Sequence, residues 1–250
     1  MKAKHTIPVL TKALQVICSL AEGQGSATTK ELSQRLGIPA TTCYRILQTF
    51  SAFDWLRPSA NGVFEFSLGM LPLLKPISNY QWMFDQLREP LEQLVETTNL
   101  MAKISIKQGA NAITVFRVES PRMVAPSAKI GTAFPLVLGS SGACLLSSMG
   151  DEDIAKMIEE SPRSAWQSQT PEDFWRRVCE AREQRSCFDA GSYHQNIHAV
   201  SAPIFRGKGV PFAAVSLIGW PEDFIEAQRP ALRSAILRTA KRCEAVLKGK

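Results

Sequence analysis

Residues 28–52 read TTKELSQRLGIPATTCYRILQTFSA, and this stretch decides how the first part of the chain folds. A threonine at its start, Thr28 or Thr29, can cap a short helix that carries two leucines four residues apart on one face. Gly37 then ends this helix, and Pro39 suits the first turn of the next one, where its missing N–H breaks no hydrogen bond. The stretch predicts two helices joined by a tight, glycine-containing turn, which is a helix-turn-helix.

Two further helical segments complete this motif. The helix after the turn is predicted from Ala40 to about Ala52. Its buried face is predicted to consist of Cys43, Ile46, Leu47 and Phe50. An earlier helix is predicted from Pro8 to about Glu22, where apolar residues recur at helical spacing. In proteins with three helices of this kind, the N-terminal part of the third helix enters the major groove of DNA.

A short hairpin is predicted directly after the helices. The runs 55–57 and 63–66 are rich in apolar residues and flank Asn61-Gly62. Asn-Gly is a strong signal for the tight turn of a hairpin, because both residues accept positive φ angles. The sequence therefore predicts a two-stranded wing beside the helices, and so a winged helix-turn-helix.

The predicted DNA contacts come from the third helix, the wing and the start of the second helix. They are Ala40, Thr41, Thr42, Tyr44 and Arg45 on the third helix, Arg57 and Asn61 on the wing, and Thr29 and Lys30 on the second helix. An arginine can pair with a guanine edge or a phosphate, and a threonine hydroxyl can bond either group. Threonines near a helix N-terminus also favour a phosphate. The alternative is that the threonines only cap the helix and Arg45 is a solvated surface charge.

Composition and charge agree with a nucleic-acid partner. The formal net charge is +6, and residues 1–66 supply +3 of it, from seven Lys/Arg minus four Asp/Glu. A basic balance favours a polyanion as the binding partner, since neutralising phosphates releases counterions.

Mean hydropathy is −0.07, and no run approaches the roughly 18 apolar residues that span a bilayer, so a cytoplasmic protein is expected. The six cysteines form no C-x-x-C pair, which favours reduced thiols over a disulfide framework or a zinc site.

A junction and a long helix are predicted after the wing. Residues 67–77 are expected to join two domains, and a helix is predicted over 78–98, kinked or divided at Pro90. The expected organisation is a DNA-binding domain at 1–70, a linker with its helix at 71–98, and a larger domain at 99–250.

The larger domain changes from helical to strand periodicity and back. The pattern predicts a hairpin over 101–118, helices over 151–160 and 171–186, a second hairpin over 200–218, and a closing helix with Leu232, Ile236, Ala240, Cys243 and Leu247 on one face. Strands, helices, strands and a helix in this order give an α+β domain.

Three separate stretches resemble the IclR family of transcriptional regulators. The first joins VLTKAL at 9–14, ELSQRLGIP at 31–39 and YRIL at 44–47, and is similar to the family's R-A-L opening, E-L-A-x-x-x-G-L-P turn and T-x-Y-R-L-L recognition helix. The second, LREPLEQL at 87–94, is similar to the family's linker helix. The third, from Gly131-Thr132 through Pro135-Leu136 to Gly142, is similar to its G-x-R-x-P-L-H…G-K motif, and Ala202-Pro203-Ile204 also fits.

The resemblance implies a fold and a ligand site for the larger domain. It implies a GAF-like α/β sensor domain with a mainly antiparallel sheet, a small-molecule pocket, and assembly into dimers or tetramers. Hydroxyl and N–H groups in a mostly apolar pocket suit a small carboxylic or aromatic acid. It makes repression of a neighbouring operon the commonest function. Carried over by motif position, the pocket residues are Ser140, Ser141, Ile197, Ala199 and Ser216.

The sequence also departs from the family pattern. Ala133 stands where the family usually has Arg, Val137 where it has His, and Ala143 where it has Lys. Two of these changes remove positive charge from the expected pocket. A monocarboxylate or a neutral compound is therefore expected as ligand rather than a di-acid.

Two other classes of function remain open from the sequence. An enzyme would use Cys144 or Ser141 as nucleophile with His194 or His198 as base. However, residues 139–142 do not form a G-x-S-x-G elbow, the leucines after Cys144 predict that it is buried, and the two histidines precede a predicted strand rather than sharing a helix face for a metal. The chain has no Walker motif and no G-x-G-x-x-G, so no cofactor is expected. The remaining class is a DNA-binding protein whose larger domain only oligomerises.

Overall fold

The computed structural model describes residues 6–23, 25–207 and 209–248, with the side chains at 60, 74 and 76–81 left undescribed. The chain divides into two compact units, Met1–Tyr80 and Gln81–Lys250. Within the described residues, no helix is both long enough and apolar enough to cross a membrane.

The first unit is a bundle of short helices with a small sheet. Its elements are α1 (Pro8–Glu22), β1 (Ser26–Thr28), α2 (Thr29–Leu36), α3 (Ala40–Ala52), β2 (Leu56–Pro58) and β3 (Val63–Phe66). The sheet order is β1-β3-β2, with antiparallel pairing. The helices and both wing strands are confirmed, but the expectation of only two strands is wrong. A strand as short as β1, next to glycines, has no alternation for a sequence pattern to detect.

The start of α2 shows why this sequence folds into a helix here. The side chain of Thr28 accepts a hydrogen bond from the Glu31 N–H at 3.2 Å, and the Glu31 carboxylate accepts one from the Thr28 N–H at 2.8 Å. This reciprocal capping box settles the cap on Thr28 rather than Thr29. At the other end, Gly37 has φ +64°, a conformation that glycine adopts without strain. Pro39 lies just before α3 as its N-cap, not within its first turn.

The core of the first unit joins all three helices to the sheet. It consists of Val16, Leu20, Ala27, Leu32, Ile38, Cys43, Ile46, Leu47, Leu56 and Phe64. Of the four predicted core residues of α3, three are buried, while Phe50 is only partly buried and stacks on Trp55 at 5.5 Å between ring centroids. The buried face of α3 leaves the opposite face of the helix exposed.

The linker contains two helices rather than one. They are α4 (Leu71–Asp85) and α5 (Arg88–Thr98), so the expectation of one helix beginning at 78 is wrong. The break lies at Gln86-Leu87 and not at Pro90. A continuous helix would press the Pro90 ring against the carbonyl group four residues earlier, at Gln86. With the break there, Pro90 lies in the first turn of α5, where a missing N–H costs nothing.

The second unit is built on a six-stranded sheet. Its strands are β4 (Met101–Gln108), β5 (Asn111–Val118), β6 (Ala133–Pro135), β7 (Cys187–Ala190), β8 (His198–Phe205) and β9 (Pro211–Gly219). Their order is β6-β5-β4-β9-β8-β7, and all the pairings are antiparallel. Both predicted hairpins and the predicted α+β class are confirmed. The short strands β6 and β7 were not predicted.

Helices cover both faces of this sheet. They are α6 (Gly139–Leu146), α7 (Asp151–Glu159), α8 (Pro171–Gln184) and α9 (Arg229–Leu247), together with α5. On β9, Val215 packs with α5 and α9 on one face, while Ala214 packs with α6 and α8 on the other. The alternation of strand side chains therefore directs Ser216 toward α6.

A close approach fixes the position of α6 against the preceding loop. A Cβ atom at Gly142 would lie 1.7 Å from the carbonyl oxygen of Leu136. Only glycine permits this contact. The residues Gly139, Ser140 and Ser141, which the sequence alone could equally assign to a turn, form the first turn of α6.

Candidate DNA-binding surface and ligand cavity

Four of the five residues of α3 that are predicted to contact DNA are exposed. Thr41, Tyr44 and Arg45 are exposed, on the side opposite the buried Ile46 and Leu47. Ala40 is exposed at the start of the helix, whereas Thr42 is half-buried and less available. Gln48 is exposed one turn beyond Tyr44 and Arg45. The sequence analysis missed it, although its spacing of three and four residues from those two positions was a usable signal.

Tyr44 links this helix to the wing. Its ring lies 6.5 Å from that of Phe64, nearly perpendicular to it, while 51% of the Tyr44 side chain remains exposed. Such an edge-to-face pair favours one orientation of the two rings. The contact therefore sets the position of α3 relative to β3.

The wing presents one charged and one turn residue. Arg57 is exposed and pairs with Glu65 on the neighbouring strand, with Nε and Oε1 2.8 Å apart. Asn61 and Gly62 have φ angles of +67° and +72°, which is the left-handed conformation expected of a tight Asn-Gly turn. Both predicted wing residues, Arg57 and Asn61, are exposed. An exposed ion pair of this kind is weak and can open to a phosphate.

The start of α2 offers fewer contacts than predicted. Lys30 is exposed, but Thr29 is half-buried as the first residue of the helix. The capping box engages Thr28 and Glu31, so the Glu31 carboxylate occupies the helix N-terminus. Lys30 is the better placed of the two residues for a phosphate.

A cavity of about 300 Å³ lies in the second unit, between the sheet and the start of α6. Its lining includes Ser140, Ser141, Ile197 and Ala199, four of the five predicted ligand residues. The fifth, Ser216, does not line it. The full lining is Lys103, Thr114, Ser127, Ala128, Lys129, Thr132, Phe134, Leu138, Gly139, Ser140, Ser141, Asp189, Tyr193, Ile197, Ala199 and Ile218.

Ser216 belongs to a hydroxyl network beneath this cavity. Its Oγ lies 2.9 Å from that of Ser141 and 2.7 Å from that of Ser201, and Ser201 lies 2.8 Å from Ser140. All four serines are buried. The chain of hydroxyl groups therefore orients the two serines that do line the cavity.

Lys103 is the buried cation of this cavity, and the sequence analysis did not assign it to the ligand site. The alternation of β4 predicts it on the polar face of the strand, but only 7% of its surface is exposed, because that face forms the cavity wall. Its Nζ lies 4.5 Å from the centre of the Phe134 ring, a favourable cation–π distance. Burial lowers the pKa of Lys103 to about 8. Nearby, the buried hydroxyl of Thr114 has no hydrogen-bond partner among the described residues.

Asp189 is the acidic group of the cavity. It is buried, and its Oδ1 lies 3.3 Å from Nη1 of Arg177. Burial raises the pKa of Asp189, while Arg177 and a hydrogen bond from the Ser192 N–H act in the opposite direction. The side-chain hydroxyl of Ser192 also bonds to this carboxylate. Asp189 is thus held as a paired group on one side of the cavity.

The comparisons with known proteins cover most of the chain. Residues 81–245 match the sequence profile described as bacterial transcriptional regulator IclR C-terminal, and residues 9–60 match that of the IclR helix-turn-helix domain. The chain belongs to the IclR family. It is 25% identical to the transcriptional repressor IclR of Escherichia coli, over 96% of this chain and 89% of that protein. It is 24% identical to the acetate operon repressor of Salmonella typhimurium, over 93% of this chain and 87% of that protein.

Solved structures of IclR proteins share the fold. One is an IclR transcriptional regulator from Alicyclobacillus acidocaldarius, with a TM-score of 0.76 and 19% identity over 97% of this chain and 100% of that one. Another is an IclR homologue from Microbacterium hydrocarbonoxydans in complex with 4-hydroxybenzoate, with a TM-score of 0.80 and 16% identity over the same shares. At these identities the likeness concerns the fold alone.

Membership of the IclR family excludes the enzymatic alternative. The family consists of DNA-binding transcriptional regulators, not enzymes. The surroundings of the suggested nucleophile agree with this. Cys144 is buried, as predicted, and its Sγ lies 3.7 Å from that of Cys187. Among the described residues, no group of three His, Cys, Asp or Glu side chains is arranged to hold a metal ion.

Proposed function

We propose that this IclR-family regulator is a repressor whose affinity for its operator is set by a small aromatic monocarboxylate bound in the cavity of the second unit. The observation that carries this proposal is the buried ammonium group of Lys103, which lies against Phe134 beside serine and threonine hydroxyls. The effector binds as an anion, and its carboxylate pairs with the charge of Lys103.

One buried cation suits one carboxylate. A buried charge without a partner is costly, and a carboxylate brings both the opposite charge and hydrogen-bond acceptors. With a pKa of about 8, Lys103 is mainly protonated at neutral pH. Thr114 and Ser140 supply further donors along the same wall. A monocarboxylate therefore compensates the site better than a neutral compound does.

A second carboxylate would meet the wrong charge. Asp189 lines the same cavity, and Arg177 already pairs with it. Lys129, the other lysine of the lining, is exposed to solvent, so Lys103 is the buried cation of this site. Ala133 and Ala143 supply no further cation, and Ala143 is completely buried within α6. The distribution of charge thus disfavours a di-acid, in agreement with the expectation from the sequence.

The apolar part of the cavity suits a ring. Phe134 lies 6.3 Å from Tyr193 in an edge-on arrangement, and both line the cavity with Leu138 and Ile218. About 300 Å³ is the lower end of the range for small-molecule sites. A benzoate-sized compound suits both the aromatic lining and the small volume of the cavity. The Microbacterium homologue was solved in complex with 4-hydroxybenzoate.

DNA binding is proposed for the exposed face of α3 together with the wing. Arg45 and Gln48 are proposed to read base edges, and Lys30 and Arg57 to contact phosphates, because all four side chains are exposed. The names of the related repressors from Escherichia coli and Salmonella support repression. As a DNA-binding regulator, the protein is proposed to act in the cytoplasm.

Assembly into dimers is proposed from α1. Leu10 and Leu14 are 56% and 64% exposed and form an apolar stripe on one face of the helix, opposite the buried Val16 and Leu20, and the N-cap residue Ile7 is 59% exposed. A single winged domain reads too few bases for high specificity, so a dimer on two half-sites is expected. Pairing of the α1 stripes would cover this apolar surface.

The linker helices are the natural route between effector and DNA. The boundary between the two units falls within α4, and α5 follows it as the first helix of the second unit. Coupling between two such sites is typically worth about 1–3 kcal/mol. A ligand that prefers one spacing of the DNA-binding units would shift operator affinity by that amount.

A calorimetric comparison tests the proposed effector class. The full-length protein would be titrated with 4-hydroxybenzoate, its neutral analogue 4-hydroxybenzyl alcohol and the di-acid terephthalate. The monocarboxylate is expected to bind best, and Lys103→Met to weaken its binding about 10- to 100-fold through loss of a charged hydrogen bond. Lys107→Met is the matched control, because Lys107 is exposed on the same strand. Binding of the same acid should also change retention of DNA from the protein's own upstream region.

The contrary outcomes are distinct. Tighter binding of terephthalate, or equal binding by the Lys103→Met variant, would overturn the assignment of the charge. If no acid bound while the DNA was still retained, the second unit would serve oligomerisation without a ligand.

A further inference from the structure

A second cavity of the same unit lies between α8 and α9, alongside the edge strand β7. Its volume is about 780 Å³, and it shares no lining residue with the effector cavity. Arginine dominates it. Arg176 and Arg177 come from α8, and Arg229 and Arg233 from the first turns of α9.

Two of these arginines are held in place by one aromatic ring. The guanidinium carbons of Arg229 and Arg233 lie 5.3 Å and 5.0 Å from the centre of the Phe188 ring. Contacts of this type restrain a guanidinium group without using its hydrogen-bond donors. Phe188 therefore presents two oriented cations to the groove.

The arginines of the groove outnumber the carboxylates of its own lining, although each arginine has a carboxylate partner. Its lining carries four arginines and three carboxylates, from Asp173, Glu180 and Glu226, which gives a net +1. The carboxylates pair with Arg176, Arg233 and Arg229 respectively. The remaining arginine, Arg177, pairs with Asp189, which faces the other cavity.

Two buried donors of the groove have no acceptor. The Nε atoms of Arg177 and Arg233 are inaccessible to solvent and lack a hydrogen-bond partner among the described residues. Arg177 is only 6% exposed, although its other nitrogens bond to Asp189 and Gln169. A buried donor without a partner costs free energy, which an acceptor would recover once a shift of the guanidinium group turned the donor toward the groove.

We propose that this groove is a second ligand site, which binds a small organic anion through a carboxylate or phosphate group. The oxygens of that group accept hydrogen bonds from Arg177 and Arg233, while the apolar stem of Leu237 and the ring of Phe188 border the organic part. Planar guanidinium groups bind both kinds of oxyanion. The site is separate from the effector cavity and does not depend on the ligand proposed there.

The position of Arg177 makes the two sites neighbours. It lines the groove, and its ion-pair partner Asp189 lines the effector cavity. An anion in the groove would bind the guanidinium group of Arg177, which also neutralises the charge of Asp189. Any effect of one ligand on the affinity of the other must be reciprocal.

Titration calorimetry of the full-length protein tests the proposal. The probes are inorganic phosphate and succinate, each at constant ionic strength set with chloride. Saturable binding of either probe is expected, and Arg233→Met should weaken it at least tenfold. Binding of phosphate alone would assign the site to phosphorylated compounds, and binding of succinate alone to carboxylates. If Arg233→Met fails to fold, Arg229→Met removes the other arginine that Phe188 holds at the groove and is likewise expected to weaken binding.

Two control variants locate the binding. Arg238→Met removes the same charge from an exposed position of α9 outside the groove, and it should leave binding unchanged. Lys103→Met removes the cation of the effector cavity and should also leave it unchanged. The proposal is overturned if neither probe binds saturably by about 10 mM, if Arg238→Met weakens binding as much as Arg233→Met, or if only Lys103→Met abolishes it.

Discussion

Arg177 and Asp189 form a buried ion pair that stands between two cavities, with Nη1 and Oδ1 3.3 Å apart. Only 6% and 5% of their surfaces are exposed. Removing one partner of such a pair leaves a buried charge uncompensated, so Arg177→Met is expected to lower the free energy of unfolding by about 3–5 kcal/mol. Urea denaturation followed by circular dichroism measures this loss.

A double variant distinguishes the contribution of the ion pair to stability from that of the side-chain packing around it. Arg177→Met with Asp189→Asn carries no unpaired charge and should recover part of the loss. Arg176→Met is the control, since this neighbouring arginine is exposed and its pair with Asp173 is worth under about 1 kcal/mol. Equal losses in Arg176→Met and Arg177→Met would contradict this account.

Lys103 makes a distinct contribution to pH dependence. Burial lowers its pKa to about 8 from 10.5, so between these values the unfolded chain binds a proton that the folded chain does not. The contribution of Lys103 to the free energy of unfolding therefore increases as pH rises over this window, by up to about 3 kcal/mol. The difference between the parent protein and Lys103→Met, measured by urea denaturation from pH 7 to pH 10, isolates it from other titrating groups.

The affinity for the effector should fall as pH rises, whereas the contribution of Lys103 to the free energy of unfolding increases. A carboxylate binds the protonated form of Lys103, so its affinity is expected to fall above pH 8 by up to about tenfold per pH unit. The Lys103→Met variant should show no such fall. A parent protein whose affinity for 4-hydroxybenzoate stayed constant from pH 7 to pH 9 would place the carboxylate away from Lys103.

The sequence predicted those elements that carry a clear period or a strong turn signal. The helices α1 to α3, the Asn61-Gly62 turn and both hairpins of the second unit are examples. It missed β1, β6 and β7, because strands of three or four residues are too short to show alternation. The linker break was placed at Pro90 rather than four residues before it, where the ring would have met a carbonyl group.

The candidate ligand site was predictable only in part. Ser140, Ser141, Ile197 and Ala199 were found through motif positions and do line one cavity. Lys103 was assigned to the polar face of its strand, since alternation alone cannot tell a cavity wall from solvent. The pairing of Asp189 with Arg177 joins β7 to α8 and has no local signature in the sequence.

The exposed face of α3 predicts how single substitutions affect DNA binding. Arg45→Ala and Gln48→Ala are each expected to weaken operator binding by about 1–3 kcal/mol and to relax selectivity for one base. If Arg45 contacts a phosphate instead, its substitution will weaken binding equally for specific and scrambled DNA. The slope of the logarithm of the binding constant against the logarithm of salt concentration will then fall by about one. Fluorescence anisotropy at two salt concentrations separates these cases. Arg163→Ala removes the same charge from an exposed position in the second unit and should leave binding unchanged.

The apolar stripe of α1 predicts an assembly contact. Leu10→Glu or Leu14→Glu would place a charge in the middle of a paired stripe, so each is expected to dissociate dimers into monomers and to weaken operator binding. Sedimentation velocity measures the change in mass. Gln15→Glu adds the same charge at an exposed position beside the stripe and should leave the mass unchanged. If Leu14→Glu kept the mass of the parent protein at every concentration, the copies would have to associate through another surface, and the exposed leucines of α1 would need a different partner.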